Sequence, residues 1–324
     1  MSATVNPTLP VDLDFGFFVK QREDMARAHY DGRATDYCFS LDRQMRQRMS
    51  SIPGLELAVK GLSNFALAYQ KQLLSLQGVA VGPKQFPRIY NIVQDCAERL
   101  SIGIPQAFII YDPVMNAYSV ATEQVGTMIV LHSSLVEAMS DDELRFVIGH
   151  ECGHIHNLHG VWATAGKILS NAALMQMAQR IPGAAAMLKL LAGAVGVFLN
   201  SWFRCQETTA DRAGLICSGD IDTARHAMAK LATGGKSDIL KDIDLDEYEK
   251  QLETSQATPV RLWEAQIDHP ITSKRVAMIR EFRDCDVLYR WRPEMRGDKA
   301  PRTKAEVDAR CEEIVRVFLK KGTR

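Results

Sequence analysis

The spacing of apolar and polar positions predicts a chain made mainly of helices. Apolar residues recur at helical intervals over residues 15–30, 41–49 and 55–76, and a Pro-Gly pair interrupts the pattern before the third stretch. No arrangement of side chains typical of catalysis occurs there. We therefore expect residues 1–86 to form a helical region that covers another part of the fold or binds a partner.

The pattern changes after residue 86. Three short runs, residues 107–111, 117–121 and 127–131, have the composition of strands and are separated by turn-forming residues. Their closeness in sequence predicts a small antiparallel sheet. Because this sheet stands among long helical stretches, the expected fold class is α+β and predominantly α-helical.

The strongest helix signal follows this sheet directly. The helix begins at a capping box that starts at Ser140, and it includes residues 148–160, which read IGHECGHIHNLHG. His150 and His154 are four residues apart, so a helix presents both imidazoles on one face. Glu151 stands beside the first of them. The HExxH motif therefore brings two nitrogen donors and a carboxylate together.

The most apolar part of the chain, residues 161–203, comes next. Its uncharged stretches, residues 168–179, 181–188 and 190–203, are each shorter than the roughly 18–20 residues that cross a bilayer. We expect two buried or interfacial helices that form a hairpin. Membrane association through the same hairpin stays open, because its glycines and alanines also suit helix packing in lipid.

Composition changes this picture little. Of 324 residues, 46% are hydrophobic and 24% are charged, which are ordinary globular values, and the net charge of zero gives no reason to expect a nucleic-acid partner. Residues 274–324 carry 15 Lys and Arg against 9 Asp and Glu. We interpret this excess as the solvated face of a basic helical extension over residues 284–324.

Cysteine usage and the first residues indicate the compartment. The seven cysteines are odd in number, scattered and without a CxxC pair, so we expect free thiols and a reducing environment rather than a disulfide framework. The N-terminal residues do not show a basic segment followed by an apolar run, as a signal peptide does. We therefore expect a cytoplasmic protein.

Two imidazoles on one helical face, with a glutamate beside them, are typical of a catalytic zinc site. Such a site has three protein ligands and keeps a fourth position for a water molecule, whose pKa falls to about 7. His150 and His154 would supply two ligands to a single Zn²⁺ ion. Glu151 would be the general base that takes the proton from the attacking water.

The third ligand has to come from elsewhere in the chain. The metzincin pattern HExxHxxGxxH requires a glycine and a third histidine after the motif, but Asn157 and Gly160 occupy those positions. His156 and His159 are close in sequence. They point away from the ligand face for as long as the helix continues, so we expect them in outer or exposed positions.

A glutamate from a later helix is the other solution, with an aspartate four residues on that holds one ligand imidazole. Glu207 and Asp211 fit this requirement. With them, the chain resembles the M48 family of zinc metallopeptidases, which contains the HtpX-like proteases. Four features carry the resemblance, in matching order over residues 87–282: Asn116-Ala117-Tyr118, the strand and short helix that lead into HECGH, ETTAD at residues 207–211, and HPITSKR at residues 269–275.

The resemblance implies a zincin-like fold of the gluzincin type, with Glu207 as the third zinc ligand and Glu151 as the general base. It implies that Asp211 holds one ligand imidazole by accepting a hydrogen bond from the ring nitrogen that does not bind the metal. It also implies that His269 and Arg275 face the cleft. There they would stabilise the oxyanion of the tetrahedral intermediate or orient Glu207.

We therefore predict three segments, residues 1–86, 87–283 and 284–324, of which the second is the metallopeptidase domain. The substrate is a protein or peptide, whose extended backbone adds as a strand to an exposed sheet edge near residues 127–131. The residues expected to contact this substrate are Asn116, Ala117, Tyr118, Met128, Ile129 and Val130.

Two other functions remain open. A membrane-docked quality-control protease would use the hairpin of residues 161–203, although HtpX-like members carry long transmembrane helices and no apolar segment of that length occurs in this sequence. A noncatalytic, zinc-stabilised protein-binding module would keep the metal site as a structural element. Against this module, Glu151 is intact, and a structural site is normally closed by four protein ligands.

Overall fold

The computed structural model describes residues 29–31, 34–122, 126–162, 194–235, 242–254 and 272–316. The chain divides into two compact units, Met1–Asp36 and Tyr37–Arg324. The boundaries that we predict after residues 86 and 283 stay a prediction.

The described part of the first unit is a pair of short strands. β1 (Tyr30–Asp31) and β2 (Ala34–Thr35) are antiparallel, with Tyr30 opposite Thr35. Most of the helix predicted over residues 15–30 lies outside the described residues. At its predicted end, Tyr30 belongs to a strand instead.

The second unit is built mainly from helices, as the apolar periodicity predicts. In chain order, the described helices are α1 (Ser40–Ser50), α2 (Leu55–Gln77), α3 (Pro87–Arg99), α4 (Ser133–Ala138), α5 (Asp141–His156), α6 (Ala194–Ser218), α7 (Ile221–Thr233), α8 (Leu245–Thr254), α9 (Thr272–Arg283), α10 (Asp286–Trp291) and α11 (Lys304–Val315), with a 3-10 turn at Pro293–Met295. Capping boxes at Ser140 and Thr303 begin α5 and α11. Each box satisfies backbone donors that a helix start otherwise leaves unpaired.

Four strands of the second unit form a mixed sheet in the order β3, β4, β6, β5. They are β3 (Val79–Val81), β4 (Gln106–Ile110), β5 (Ala117–Thr122) and β6 (Gly126–His132). β4 and β6 are parallel, and the other pairs are antiparallel. The α+β class is confirmed, but the antiparallel prediction is wrong for this pair. β6 lies between β4 and β5. It runs antiparallel to β5 and parallel to β4.

This strand order also corrects the predicted sheet edge. β6 is an interior strand, hydrogen-bonded on both sides, and the side chains of Met128, Ile129 and Val130 are fully buried. An incoming peptide cannot pair with a strand whose backbone groups are already used. Among the described strands, the edges of the sheet are β3 and β5.

One face of the sheet packs against α2. Two leucines of this helix, Leu67 and Leu74, form an apolar cluster with side chains from three strands. The strand members are Phe108, Val120, Met128 and Val130, with Ile110 and Tyr118 partly buried beside them. The side chains on the opposite face of β6, Ile129 and Leu131, are fully buried as well, so both faces of this strand are covered.

Helices α5 and α6 approach each other closely. A Cβ atom on Gly149 would lie 2.5 Å from the Cβ of Cys217, and one on Gly214 would lie 2.8 Å from Cε2 of Phe146. Each glycine thus leaves room for the other helix. The contact brings the HExxH segment against the segment that contains Glu207 and Asp211.

The apolar region of residues 161–203 is described only at its two ends. Residues 163–193 lie outside the described residues, so the predicted hairpin stays a prediction. At the ends, the rings of Trp162 and Trp202 lie 5.2 Å apart, centroid to centroid. In the part of the chain that the structure describes, no helix is both long enough and apolar enough to span a membrane.

The C-terminal segment packs as part of the second unit. Asp308 on α11 accepts a 2.6 Å hydrogen bond from Nη2 of Arg212 on α6, and both side chains are buried. The segment predicted as an extension therefore supports the same helix that carries Glu207.

Candidate metal centre

The start of α5 is tightly held. The hydroxyl of Ser140 accepts from the backbone N–H of Glu143 at 3.3 Å, and the Glu143 carboxylate accepts from the N–H of Ser140 at 2.7 Å. Nζ of Lys230 on α7 donates to the same carboxylate at 2.7 Å. This anchoring fixes the helix on which His150 and His154 stand one turn apart.

The two imidazoles converge with Glu207 on α6. Nε2 of His150 lies 3.1 Å from Nε2 of His154, and the two Glu207 oxygens lie 3.5 Å and 3.3 Å from these nitrogens. Within the part of the chain that the structure describes, these three residues form a group of side chains able to hold a metal ion. Glu207 is buried, at 4% exposure. The structure thus brings Glu207 to two histidines from which the sequence separates it widely.

A buried ion pair stands behind His150. Nδ1 of His150 lies 2.9 Å from Oδ1 of Asp211. Arg275 on α9 binds the same carboxylate through both oxygens, at 2.6 Å and 2.9 Å. Burial alone raises the pKa of Asp211, but the Arg275 guanidinium and the bond to His150 outweigh it and hold that pKa below its usual value. Asp211 is therefore a charged acceptor at neutral pH.

Arg275 lies beside the carboxylates. Its Nη2 is 3.4 Å from Glu207 and 3.3 Å from Nδ1 of His150, in addition to its two bonds with Asp211. This position agrees with orientation of Glu207, one of the two roles that the family resemblance implies. His269, the partner expected for Arg275, lies outside the described residues.

The segment after the motif does not continue α5. α5 ends at His156, and Leu158 adopts a left-handed conformation with φ of 56°. The chain therefore turns back, and Nδ1 of His159 lies 2.9 Å from Nδ1 of His154. His159 thus occupies an outer position next to a ligand histidine, one of the two placements that the sequence left open, because the helix ends before it. His156 does turn elsewhere, toward the Tyr37 hydroxyl at 2.9 Å.

One buried residue of this region was missed altogether. Asp42 on α1 lies 3.1 Å from Nε2 of His159 and is 1% exposed. Its place in an amphipathic stretch resembles that of an ordinary surface aspartate. No sequence signal distinguishes it, since its partners His159, Trp202 and Thr209 all lie more than a hundred residues away.

The remaining predicted residues are placed as follows. Glu151 is buried and follows His150 on α5. Asn116 is exposed at the start of the edge strand β5, where its Oδ1 accepts from the backbone N–H of Ala117 at 2.9 Å. Tyr118 is half-buried on the same strand.

An HExxH helix packed against a second helix with a glutamate and an aspartate four residues apart is the arrangement of a metallopeptidase. Comparison with known proteins agrees. The model of the family described as Peptidase family M48 matches residues 83–283. The chain belongs to this family, and the resemblance seen in its motifs is confirmed.

Two relatives show how far the similarity extends. The chain is 30% identical over 259 residues to the plastoglobule-localized metallopeptidase 48, chloroplastic, of Arabidopsis thaliana, covering 77% of this chain and 72% of that protein. It is 38% identical over 77 residues to a protease HtpX homolog of Streptococcus pyogenes serotype M5 (strain Manfredo), covering 24% of this chain and 26% of that protein. The similarity to this HtpX homolog thus covers about a quarter of each chain.

Proposed function

We propose that this chain is a zinc-dependent endopeptidase whose metal ligands are His150, His154 and Glu207. The observation that carries the proposal is the convergence of three donor groups. Zinc bonds of about 2.0–2.1 Å in a tetrahedron place neighbouring donors roughly 3.3 Å apart. Nε2 of His150 and Nε2 of His154 lie 3.1 Å apart, and they lie 3.5 Å and 3.3 Å from the two different oxygens of Glu207. With one ligand atom from each residue, the three atoms lie within 4.8 Å of one another. Two imidazoles and one carboxylate at this spacing suit zinc, and three protein ligands would leave a fourth position for water.

Zinc, when bound, supplies a Lewis acid for the scissile carbonyl and a water of lowered pKa. Glu151, beside His150, accepts the proton of the attacking water and passes it to the leaving amine. Asp211 accepts from Nδ1–H of His150, so Nε2 of that ring keeps its lone pair for the metal. Arg275 neutralises the buried carboxylates beside the site.

The substrate pairs with β5 as an added strand. His132 N–H donates to the carbonyl of Asn116, so in the antiparallel ladder the backbone groups of Ala117, Ser119 and Ala121 face away from β6. The backbone of Ala121 lies against Gly160, where a Cβ atom would come within 3.0 Å of both its N and O atoms. The N–H of Ala117 already donates to Oδ1 of Asn116. The carbonyl of Ala117 and both backbone groups of Ser119 therefore form the accessible part of the edge, beside the end of the HExxH segment.

The cytoplasmic assignment is part of the same proposal. All seven cysteines are free and buried. A protein that folds with unpaired thiols suits a reducing compartment.

The proposal is tested by separating metal binding from chemistry. Glu207→Ala should lose zinc affinity along with peptide cleavage. Glu151→Gln should lose cleavage but keep stoichiometric zinc, because a base that touches only the water can be removed while the ligands remain. His156→Ala, on the same helix, is the control and should keep both.

Zinc content by elemental analysis and cleavage of a quenched peptide library provide the two measurements. A Glu207→Ala variant with full zinc content would remove Glu207 from the ligand set. A wild-type protein that binds zinc tightly but cleaves no peptide would favour the noncatalytic binding module instead.

A further inference from the structure

Asp42 is a buried carboxylate that joins α1 to the metal centre. Its Oδ1 accepts from Nε1 of Trp202 at 2.7 Å, and its Oδ2 accepts from the Thr209 hydroxyl at 2.6 Å. The same Oδ2 lies 3.1 Å from Nε2 of His159. Asp42 precedes residues 83–283, the part that matches the family model. Its contact with His159 is therefore a feature that the family match does not cover.

A continuous path of hydrogen bonds leads from this carboxylate to the metal ligand. Nε2 of His159 faces Asp42, and Nδ1 of His159 lies 2.9 Å from Nδ1 of His154. Nε2 of His154 faces Glu207 at 3.3 Å. In the series Asp42, His159, His154 and Glu207, each of the two imidazole rings thus directs one nitrogen toward the residue before it and the other toward the residue after it.

The proton positions along this path have one consistent arrangement. A ligand nitrogen must present a lone pair to the metal, so the proton of His154 stands on Nδ1. That N–H donates to Nδ1 of His159, whose own proton then stands on Nε2. The ionised Asp42 only accepts, so it completes the series in the required direction.

The two ligand histidines are therefore supported in parallel ways. His150 is held by Asp211, which belongs to the recognised ETTAD motif. We infer that Asp42 and His159 are positioning residues for His154, fixing its tautomer and ring orientation toward the metal. The helix α1 is then an integral part of the metal centre. This inference rests on the proposed zinc site.

The experiment measures zinc affinity by competition with a chromophoric chelator. His159→Phe keeps a ring but removes both nitrogens, and we expect its Kd for zinc to rise 10–100-fold, the usual cost of losing an outer hydrogen bond to a ligand. His156→Phe is the matched control three residues away and should bind zinc like the wild type. The visible spectrum of the Co²⁺-substituted protein should change in the first variant and stay unchanged in the second.

A conservative variant guards against a merely structural explanation. The amide of His159→Gln can accept from His154 and donate to Asp42, so it should recover most of the affinity that His159→Phe loses. Asp42→Asn in a His159→Phe background should cause no further loss of zinc affinity, because Asp42 acts on His154 only through His159. Trp202→Phe removes only the bond to Oδ1 and should leave zinc affinity near the wild-type value.

The outcomes are distinct. If His159→Phe and His156→Phe bind zinc equally well, the inference is wrong, whereas a wild type without zinc affinity would overturn the proposed function itself. Should His159→Phe not fold, as judged by circular dichroism, the comparison of Asp42→Asn with Trp202→Phe decides. Weaker zinc binding in Asp42→Asn than in Trp202→Phe supports the inference, and equal binding contradicts it.

Discussion

Gly153 and Ala213 lie in contact where α5 crosses α6. A Cβ atom on Gly153 would stand 2.6 Å from the Cβ of Ala213 and 3.1 Å from the Cα of Ala210. Both of those atoms are buried in the interior. The distance between the two ligand histidines and Glu207 therefore depends on the absence of a side chain at Gly153.

Gly153→Ala should weaken zinc binding and lower stability. Alanine normally favours a helix over glycine by about 1 kcal/mol, but here the added methyl group must push α6 away. Because Glu207 stands on α6 and the histidines on α5, the three ligands separate. Chelator competition and thermal unfolding measure the two effects.

Gly61→Ala is the matched control, on the helix α2. A Cβ atom there meets nothing within 4 Å. We expect unchanged zinc affinity and a gain in stability of roughly 0.5–1 kcal/mol. Equal behaviour of the two variants would show that the α5–α6 contact tolerates a methyl group.

Arg275→Lys should raise the Kd for zinc by about 10–100-fold, because lysine keeps the charge but cannot bind both oxygens of Asp211. The support of His150 then loosens. A role confined to the oxyanion predicts the opposite pattern, with turnover lowered and zinc affinity unchanged. Arg280→Lys, exposed on the same helix, is the control and should alter neither quantity.

Ser119→Pro should raise KM for peptides while the protein stays folded. Its N–H faces away from β6, and proline is tolerated in edge strands where the N–H is on the outer side. The variant removes a donor that the substrate backbone would use. Ser119→Ala keeps this donor and should behave like the wild type. Loss of the folded state in Ser119→Pro would instead show that this N–H serves the sheet.

Stability should fall in acid partly through Asp308. Burial alone raises the pKa of Asp308, but Arg212 and Lys304 outweigh it and hold that pKa below its usual value. A carboxyl with a lowered pKa stabilises the fold fully above its unfolded-state pKa, and the contribution is lost as pH falls through its folded-state pKa. Asp308→Asn should therefore cost about 3–5 kcal/mol at pH 7, and this difference should shrink below about pH 4.

Urea unfolding of wild type and Asp308→Asn between pH 3 and pH 7 measures this change. Asp298→Asn, an exposed site, removes the same charge and should stay near the wild type at pH 7. A cost for Asp308→Asn that does not vary with pH would contradict the role of the ionised carboxylate.

The thiols should be inaccessible in the native protein. All seven cysteines are buried, and burial raises the pKa of Cys285 to about 11. At pH 8 a thiol reagent should therefore react with almost none of them within minutes. After denaturation without reductant, about seven should react. A lower count in the denatured protein would reveal disulfides and contradict the reducing compartment.

The sequence by itself determined the features that depend on neighbouring residues. The capping box at Ser140, the helix after it, and the shared face of His150 and His154 follow from hydrogen bonds and spacing within a few residues. Glu207 and Asp211 were recognisable because their four-residue spacing is also local. Family motifs supplied the link between the two segments.

The tertiary structure decided what depends on distant packing. β6 lies inside the sheet because β5 pairs on its outer side, and no periodicity along one strand specifies its neighbours. His159 turns toward His154 because the helix ends at His156 and Leu158 adopts a left-handed conformation. Asp42 reaches the centre through contacts across 117 and 160 residues, to His159 and Trp202, which form when α1 packs against α6 and against the segment that follows α5.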